Sequence, residues 1–386
     1  MCLNAYSSSP ATLELRLRRA ITMAELGELR QAYDELIEVD QEVAGIGRDD
    51  LRAEALVALA DIDQRQGRAS EANERLTIAG TIASGLSDLR LQVKSAFILS
   101  ALRADLEGQF EPAIANLQRA VSIAEELDDL SLRVEGHLRI GFLLYNMGEL
   151  HAAEAELLRC TSLARELGSH RDEARATFQL ALVKYYLGEP EEGERLALQA
   201  QEWLKRTGDT YMQVQNDHSL ARFALAREDA ELAEARVQGT VETALEIGGW
   251  LVIDTFRLLT EALIRQERVD DARELVAFAA RNLPEEDAFA RASLLLAEAT
   301  VATATNEVTA AATSFAEALR LIEGLNMTLE LAEARFALAR ALRAFGDLTG
   351  ARTELERARA IFARIEATTA VGLIDRELAG MAEQPT

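Results

Sequence analysis

A repeat of about 40 residues constrains this chain more strongly than any single motif in it. The stretch LLYNMGELHAAEAELLRCT, from Leu143 to Thr161, resembles LVKYYLGEPEEGERLALQA, from Leu182 to Ala200, since each has tyrosine, then glycine, then acids and leucines. Steps of 39 to 41 residues in both directions reach nine anchor positions, which are Gly27, Gly67, Gly108, Gly148, Gly188, Glu228, Glu267, Asn306 and Gly346. Self-similarity at a fixed period of this length indicates stacked structural units rather than one site.

The residues that follow each anchor repeat as well. The fifth residue after every anchor is alanine or glycine, as in Ala32, Ala153 and Gly193, and the ninth is large and apolar in most units. The twelfth residue is small in most units. Spacings of four and three residues place these positions on one face of an α-helix. We therefore expect a helix after each anchor, with a small residue near the turn that lets the helix lie close to its neighbour.

Another helix-length segment precedes each anchor, as in ARATFQLALVKYYL from Ala174 to Leu187. Each unit is therefore predicted to consist of a first helix (helix A), a tight turn at the anchor and a second helix (helix B). Glycine at the anchor suits the left-handed conformation that ends many helices, and Asn306 tolerates that conformation. Glu228 and Glu267 do not, so they predict less regular turns in the sixth and seventh units.

The turn glycine and the small, large and small residues after it resemble the tetratricopeptide repeat. The period is longer than the roughly 34 residues of the common form. The repeat length is similar to that found in kinesin light chain, in the superhelical sensor domain of the bacterial maltose-regulon activator and related large regulators, and in peptide-sensing regulators of Gram-positive bacteria. The large aromatic residue that opens helix A in many such repeats is missing from most units here. The resemblance implies an all-α fold, a right-handed superhelical solenoid of about nine helix-turn-helix repeats.

The repeats extend over nearly the whole chain. We expect residues 1–11 to form an N-terminal lead, residues 12–366 to form nine repeats, and residues 367–386 to form a C-terminal capping helix and tail. Val371, Ile374, Leu378 and Met381 are spaced by three and four residues and make one apolar stripe. Such a stripe is typical of a helix that covers the last repeat of a solenoid.

The N-terminal end leaves two interpretations open. Leu3 and Tyr6 fold back over the first unit as a small lid, or the uncovered end pairs with another chain. The second interpretation allows a homodimer or a separate effector domain at this end.

By the same resemblance, helix A of each unit lines the concave side of the superhelix. In the middle units the matching positions hold the residues that we expect to form a groove for a protein or peptide partner, which are Arg139, Phe142, Tyr145, Asn146, Arg175, Phe178, Gln179, Leu182, Tyr185, Tyr186, His218, Arg222, Arg257 and Glu261. Aromatic side chains give contact area, and arginine pairs with carboxylates, so stacking and charge would hold a peptide there. The alternative is that the tyrosines only pack between neighbouring helices A, with their hydroxyl groups in water.

Composition limits the class of partner. The formal net charge of −24 argues against binding a nucleic-acid backbone or an anionic membrane, since both require cationic side chains. The sequence has no run of about 18 apolar residues, so no membrane span is expected. Two cysteines, Cys2 and Cys160, cannot make a disulfide framework, which favours a reducing cytoplasm. Cys160 falls in the small-residue column of helix B and is expected to be a buried packing residue.

No motif for catalysis, a metal or a cofactor stands out. The sequence lacks GxxxxGK[ST], HExxH, paired CxxC and GxSxG, and no GxGxxG follows a strand pattern. Carboxylate pairs are assigned to exposed helix faces, where nothing would raise their pKa. We therefore expect no enzymatic activity and no cofactor.

Two functions remain open from the sequence. The first is a cytoplasmic, bacterial scaffold or adaptor that binds a protein or peptide in its concave groove. The second is a ligand- or peptide-sensing regulatory module that acts through a partner chain in signalling or transcription control.

Overall fold

The structure, a computed structural model, describes residues 9–283 and 286–382. These residues form helices joined by short turns and contain no strand. This confirms the predicted all-α fold. The predictions for Cys2, Leu3 and Tyr6 lie outside the described residues.

In the described part of the chain the helices follow one another as nine pairs and a final single helix. The pairs are α1 (Pro10–Leu26) with α2 (Leu29–Ile46), α3 (Asp49–Arg65) with α4 (Ala69–Leu86), α5 (Leu89–Glu107) with α6 (Phe110–Glu126), α7 (Leu130–Met147) with α8 (Leu150–Leu167), α9 (His170–Tyr186) with α10 (Pro190–Thr207), α11 (Thr210–Ala226) with α12 (Ala230–Gln238) and α13 (Val241–Ile247), α14 (Trp250–Arg265) with α15 (Val269–Arg281), α16 (Ala288–Ala304) with α17 (Val308–Gly324), and α18 (Thr328–Ala344) with α19 (Leu348–Arg364). The final helix is α20 (Thr368–Ala382). Each pair corresponds to one predicted unit, so the chain is a solenoid of tetratricopeptide-like repeats.

Every anchor position lies between helix A and helix B and has a positive φ angle. Gly148 has a φ of 82°, while Glu228, Glu267 and Asn306 have φ angles of 64°, 62° and 58°. The prediction of less regular turns at the two glutamates is therefore wrong. A left-handed residue other than glycine costs only about 1–2 kcal/mol, which the packing of two helices offsets.

The small residue after the turn marks the closest approach of helix B to helix A. In the fifth unit it is Gly193, where an added Cβ would lie 2.7 Å from the carbonyl oxygen of Ala181 and 3.0 Å from the amide nitrogen of Tyr185. Further along the same face of helix B in the fourth unit, Leu157 and Cys160 are fully buried, as predicted. Burial raises the pKa of the Cys160 thiol.

Helix B of the sixth unit departs from the repeat. Gly239 and Thr240 divide it into α12 and α13. The Thr240 hydroxyl donates a 2.8 Å hydrogen bond to the carbonyl oxygen of Val237. A side chain next to the break therefore gives this carbonyl group a hydrogen-bond partner. The repeat pattern does not predict the break, because Thr240 keeps its place in the buried column.

Helix α20 covers the last repeat. Ile374 and Met381 are buried, and Val371 and Leu378 pack against the same core. The helix contacts α19 and also α9, which belongs to the fifth unit. The end of the chain therefore meets the middle of the chain.

The superhelix is wound so tightly that its second coil, units six to nine with α20, contacts its first coil, units one to five. The Thr210 hydroxyl donates to the carbonyl oxygen of Leu26 over 2.7 Å, and the Asn326 side-chain amide donates to that of Gly108 over 3.0 Å. These partners are 184 and 218 residues apart. Carbonyl groups at a helix C-terminus lack a partner within their own helix, so the second coil satisfies the ends of helices A in the first. We call this contact the coil seam.

The coil seam accounts for four of the turn glycines, since a Cβ at Gly27 would meet Thr210 and one at Gly188 would meet Thr368 of the second coil. A Cβ at Gly108 would lie 2.7 Å from the backbone carbonyl of Leu325, and one at Gly148 would lie 2.7 Å from Cγ2 of Ile365. In the last unit, by contrast, a Cβ at Gly346 meets no heavy atom of the described chain within 4 Å. Glutamate and asparagine occupy the turn only in units six to eight, which belong to the second coil.

Candidate functional site

The concave interior of the superhelix contains two adjoining spaces. The inner cavity has a volume of about 230 Å³ and is lined mainly by α3, α5, α7, α9, α11, α14 and α18. The outer groove has a volume of about 1430 Å³ and is lined mainly by α9, α11, α14, α16, α18 and α20. Leu182 and Arg222 line both spaces. Since α9 belongs to the first coil and α18 to the second, both spaces lie between the coils.

Every residue expected in the groove lies on this interior surface. Those at the inner cavity are Arg139, Phe142, Tyr145, Asn146, Arg175, Phe178, Gln179, Leu182, His218 and Arg222. The outer groove is lined by Leu182 and Arg222 together with Tyr185, Tyr186, Arg257 and Glu261. The residues at these helix-A positions therefore line two separate spaces, because the second coil covers part of the first.

The same helix-A positions in the last two units supply further groove residues. Leu296 and Thr300 of α16 and Phe336, Arg340 and Arg343 of α18 line the outer groove. They are separated from the anchors of their units by the same intervals as the expected residues of the middle units. The signal for these groove residues was therefore present in the sequence.

The tyrosines form an aromatic cluster between the coils. The rings of Tyr145 and Tyr186 lie 6.1 Å apart, and Tyr185 stacks on Phe223 with a ring separation of 4.5 Å. The Tyr186 hydroxyl donates to the carboxylate of Glu333 in α18. Burial, followed by the nearby charge of Glu333, raises the pKa of Tyr185 to about 12. Tyr185 and Tyr186 both line the outer groove, and Tyr186 also bonds across the seam.

A first group of charges surrounds Glu135 at the inner cavity. Arg139 donates to Glu135 over 2.6 Å, and Arg175 donates to it over 3.2 Å. Arg139 also lies 3.6 Å from Asp61 of α3. Burial alone would raise the pKa of Glu135, but the two arginines outweigh burial and hold that pKa well below its usual range.

A second group surrounds Asp254, whose carboxylate is only 2% exposed. His218, Arg222 and Arg257 approach it to 3.1, 3.0 and 2.9 Å. Burial opposes ionisation here too, yet these partners hold the pKa of Asp254 well below its ordinary value. Arg222 also lies 3.5 Å from Glu333 across the seam.

The arginines of the interior are therefore paired with acids of the chain itself. The acids that line the inner cavity are Asp61, Asp105, Glu135, Asp254, Asp287 and Glu330. The arginines that line it are Arg65, Arg139, Arg175 and Arg222. Acids outnumber arginines by six to four in this set. The idea that these arginines stand free to pair with carboxylates of a ligand needs correction, because a ligand carboxylate would compete with existing partners and add to an excess of negative charge.

Two interior carboxylates have raised pKa values. Burial, followed by repulsion from Asp287, raises the pKa of Asp105 to about 7, although Arg139 opposes the shift and Gln64 donates a 2.6 Å hydrogen bond. Burial and the neighbouring Glu333 likewise raise the pKa of Glu330. The expectation that carboxylate pairs lie only on exposed faces is thus wrong, since the coil seam buries several of them.

Other chemical features of the interior are limited. Within residues 9–283 and 286–382, no group of three or more His, Cys, Asp and Glu side chains is placed to hold a metal ion. None of the helices in this part of the chain is long and apolar enough to cross a membrane.

The fold is similar to that of several solved structures. It matches a Rap protein complexed with Competence and Sporulation Factor with a TM-score of 0.70 and 14% identity, over 92% of this chain and 98% of that one. It matches the Rap conjugation gene regulator of the plasmid pLS20, in complex with the Phr* peptide, with a TM-score of 0.60 and 12% identity, over 92% and 96%. Aspartyl phosphate phosphatase F from Bacillus subtilis matches with a TM-score of 0.58 and 11% identity, over 93% and 96%.

At these identities the likeness shows the fold alone. The chain has the tetratricopeptide-like helical-repeat architecture of these Rap structures over nearly its whole length. No family model matches the sequence, and no curated protein matches it.

Proposed function

We propose that this chain is a regulator that binds a peptide in its outer groove and acts through a partner protein. The observation that carries the proposal is the groove between the coils. Its volume of about 1430 Å³ exceeds the roughly 300–1,000 Å³ that is usual for small-molecule pockets. Among structures with this fold, one contains the Phr* peptide and another contains Competence and Sporulation Factor.

The chemistry of the groove supports a peptide rather than a uniform apolar or charged ligand. Tyr185 stacked on Phe223 presents an aromatic surface, and the Arg340 guanidinium lies 4.3 Å from the centre of the Phe336 ring. Arg265 and Glu261 form an ion pair over 2.6 Å in the same groove. Alternating aromatic and charged groups match a chain whose side chains differ from one residue to the next.

Sensing is favoured over a passive scaffold by one feature, the position of the groove across the seam. The first coil contributes Tyr186 through α9, and the second contributes Glu333 through α18. A ligand that touches both helices has a different affinity for states in which the coils are together or apart. Binding of the peptide therefore shifts the equilibrium between those states, and a partner protein on the outer surface binds one state more tightly than the other.

The proposed role includes no catalysis and places the protein in the cytoplasm. One structure with this fold is named a phosphatase, so hydrolysis of acetyl phosphate is the relevant assay. We expect no rate above that of the buffer. A rate that depends on the amount of protein would contradict this part of the proposal.

Peptide binding is tested by obstructing the groove with one substitution. Ala337 of α18 lines the outer groove and is exposed, so Ala337→Trp fills space without removing a contact. Ala310 of α17 is also exposed, on a helix B, and Ala310→Trp is the matched control. Each protein is incubated with a synthetic library of linear peptides, and retained peptides are identified by mass spectrometry and titrated by calorimetry.

We expect the wild type and Ala310→Trp to retain the same peptides and Ala337→Trp to bind them at least about tenfold more weakly, a loss near 1.4 kcal/mol. Equal binding by all three proteins, or no peptide retained by the wild type, would remove the proposal.

A further inference from the structure

The inner cavity has the lining of a pocket for an aromatic group. Phe142, Phe178, Tyr211, Trp250 and Phe289 contribute to it. Its volume is about 230 Å³, whereas a cavity of roughly 150 Å³ holds benzene. The cavity therefore has room for one phenyl or indole ring and part of the backbone that carries it.

Two polar atoms beside these rings lack partners. The Oε1 atom of Gln179 and the Nε atom of Arg175 are buried and form no hydrogen bond with any described residue. Gln179 is 8% exposed, Arg175 is 9% exposed, and both line the cavity. They are four residues apart on α9, which places their Cβ atoms about 6 Å apart on one face of the helix.

The two atoms have complementary needs. The Gln179 oxygen accepts a hydrogen bond, and the Arg175 Nε–H group donates one. A buried polar atom without a partner costs about 1–3 kcal/mol, so a ligand that supplies both a donor and an acceptor gains from satisfying them. In an extended peptide the N–H and C=O groups of one residue point to the same side, which is the combination required.

We propose that the inner cavity is an anchor pocket that takes one aromatic residue of the bound peptide, with Gln179 and Arg175 bonding the N–H and C=O groups of one backbone residue. The pocket adjoins the outer groove at Leu182 and Arg222, so one side chain of a peptide in the groove reaches it. The excess of acids around the pocket selects against an acidic residue at this position. This inference rests on the proposed function for the nature of the ligand, but the pocket itself is testable without any groove peptide.

The test uses Trp250 as a reporter. The chain has two tryptophans, and Trp203 stacks on His170 outside the cavity, so Trp203→Phe leaves Trp250 as the single reporter. N-acetyl-L-phenylalaninamide, an aromatic side chain between two amide groups, is titrated into this variant while tryptophan emission is followed. N-acetyl-L-alaninamide is the control probe. Thermal melts of each variant establish that it is folded.

We expect a saturable change in Trp250 emission with the phenylalanine probe and none with the alanine probe. Gln179→Leu, which removes the unpartnered acceptor, should weaken binding of the phenylalanine probe about five- to tenfold. The matched control is Gln118→Leu, on the exposed face of α6, which should bind as before. Ala101→Leu narrows the cavity from α5 and should also abolish the response.

Equal responses to the two probes, a response that never saturates, or unchanged affinity in a folded Gln179→Leu variant would each overturn the inference. The two proposals fail differently. If only the groove proposal is wrong, the probe still binds and Ala337→Trp has no effect on library peptides. If only the pocket proposal is wrong, library peptides bind without the probe response.

Discussion

Replacing Gly108 by alanine should separate the two coils of the superhelix. The new Cβ would lie 2.7 Å from the backbone carbonyl of Leu325, and backbone atoms cannot turn away as the end of a side chain can. Gly108 also has a φ angle of 63°, where alanine costs about 1–2 kcal/mol. Overpacking at a close contact adds about 1–3 kcal/mol, so the expected total is about 2–5 kcal/mol.

The matched control is Gly346→Ala. Gly346 has a φ angle of 83°, and its added Cβ meets no heavy atom of the described chain within 4 Å, so only the conformational cost applies. The loss in free energy of unfolding is measured for both variants by urea denaturation. Hydrogen exchange around residue 325 reports whether the seam has opened. The reasoning fails if the two substitutions cost the same and exchange at the start of α18 does not change.

Two other predictions concern the buried charges. Burial raises the pKa of Asp105 from 3.8 to about 7 in the folded chain. Between these pH values the native state therefore binds more protons than the unfolded state. The stability that Asp105 provides is lost as the pH rises through about 7. Asp105→Asn should therefore gain stability relative to the wild type from pH 4 to 7, as measured by melting temperature, and a constant difference would contradict the assignment. Arg222→Met removes one of the two arginines paired with the buried Asp254 and should cost about 2–4 kcal/mol. The more exposed pair of Arg340 with Glu377 serves as control, since Arg340→Met should cost less than about 1 kcal/mol. Equal losses would count against the buried network.

Apart from the two glutamate turns and the break in helix B of the sixth unit, the local structure of the units was predictable from the sequence because it depends on nearby residues. Helix B needs a small residue close to the turn, which Ala153 and Gly193 supply, and helix A presents a fixed set of positions to the concave side. Those positions identified Phe142 and Tyr185 as interior residues without any knowledge of their partners.

The contacts between coils were not predictable in the same way. Small rotations from one repeat to the next accumulate, so the pitch of a superhelix is not encoded in any single unit. The ion pair of Arg222 with Glu333 and the repulsion between Asp105 and Asp287 both depend on that pitch. The one sequence signal was the turn column, where glycine fills the first five turns and other residues appear only afterwards.

Hydrogen–deuterium exchange with and without a peptide retained by the wild type tests most directly whether the interior between the coils is the binding site. We expect slower exchange in helices A on both sides of the groove, above all in α9, α14 and α18, and no change in α17 and α19 on the outer surface. Protection confined to helices B, with α9 and α18 unaffected, would place the ligand on the outside of the superhelix and contradict the proposed function.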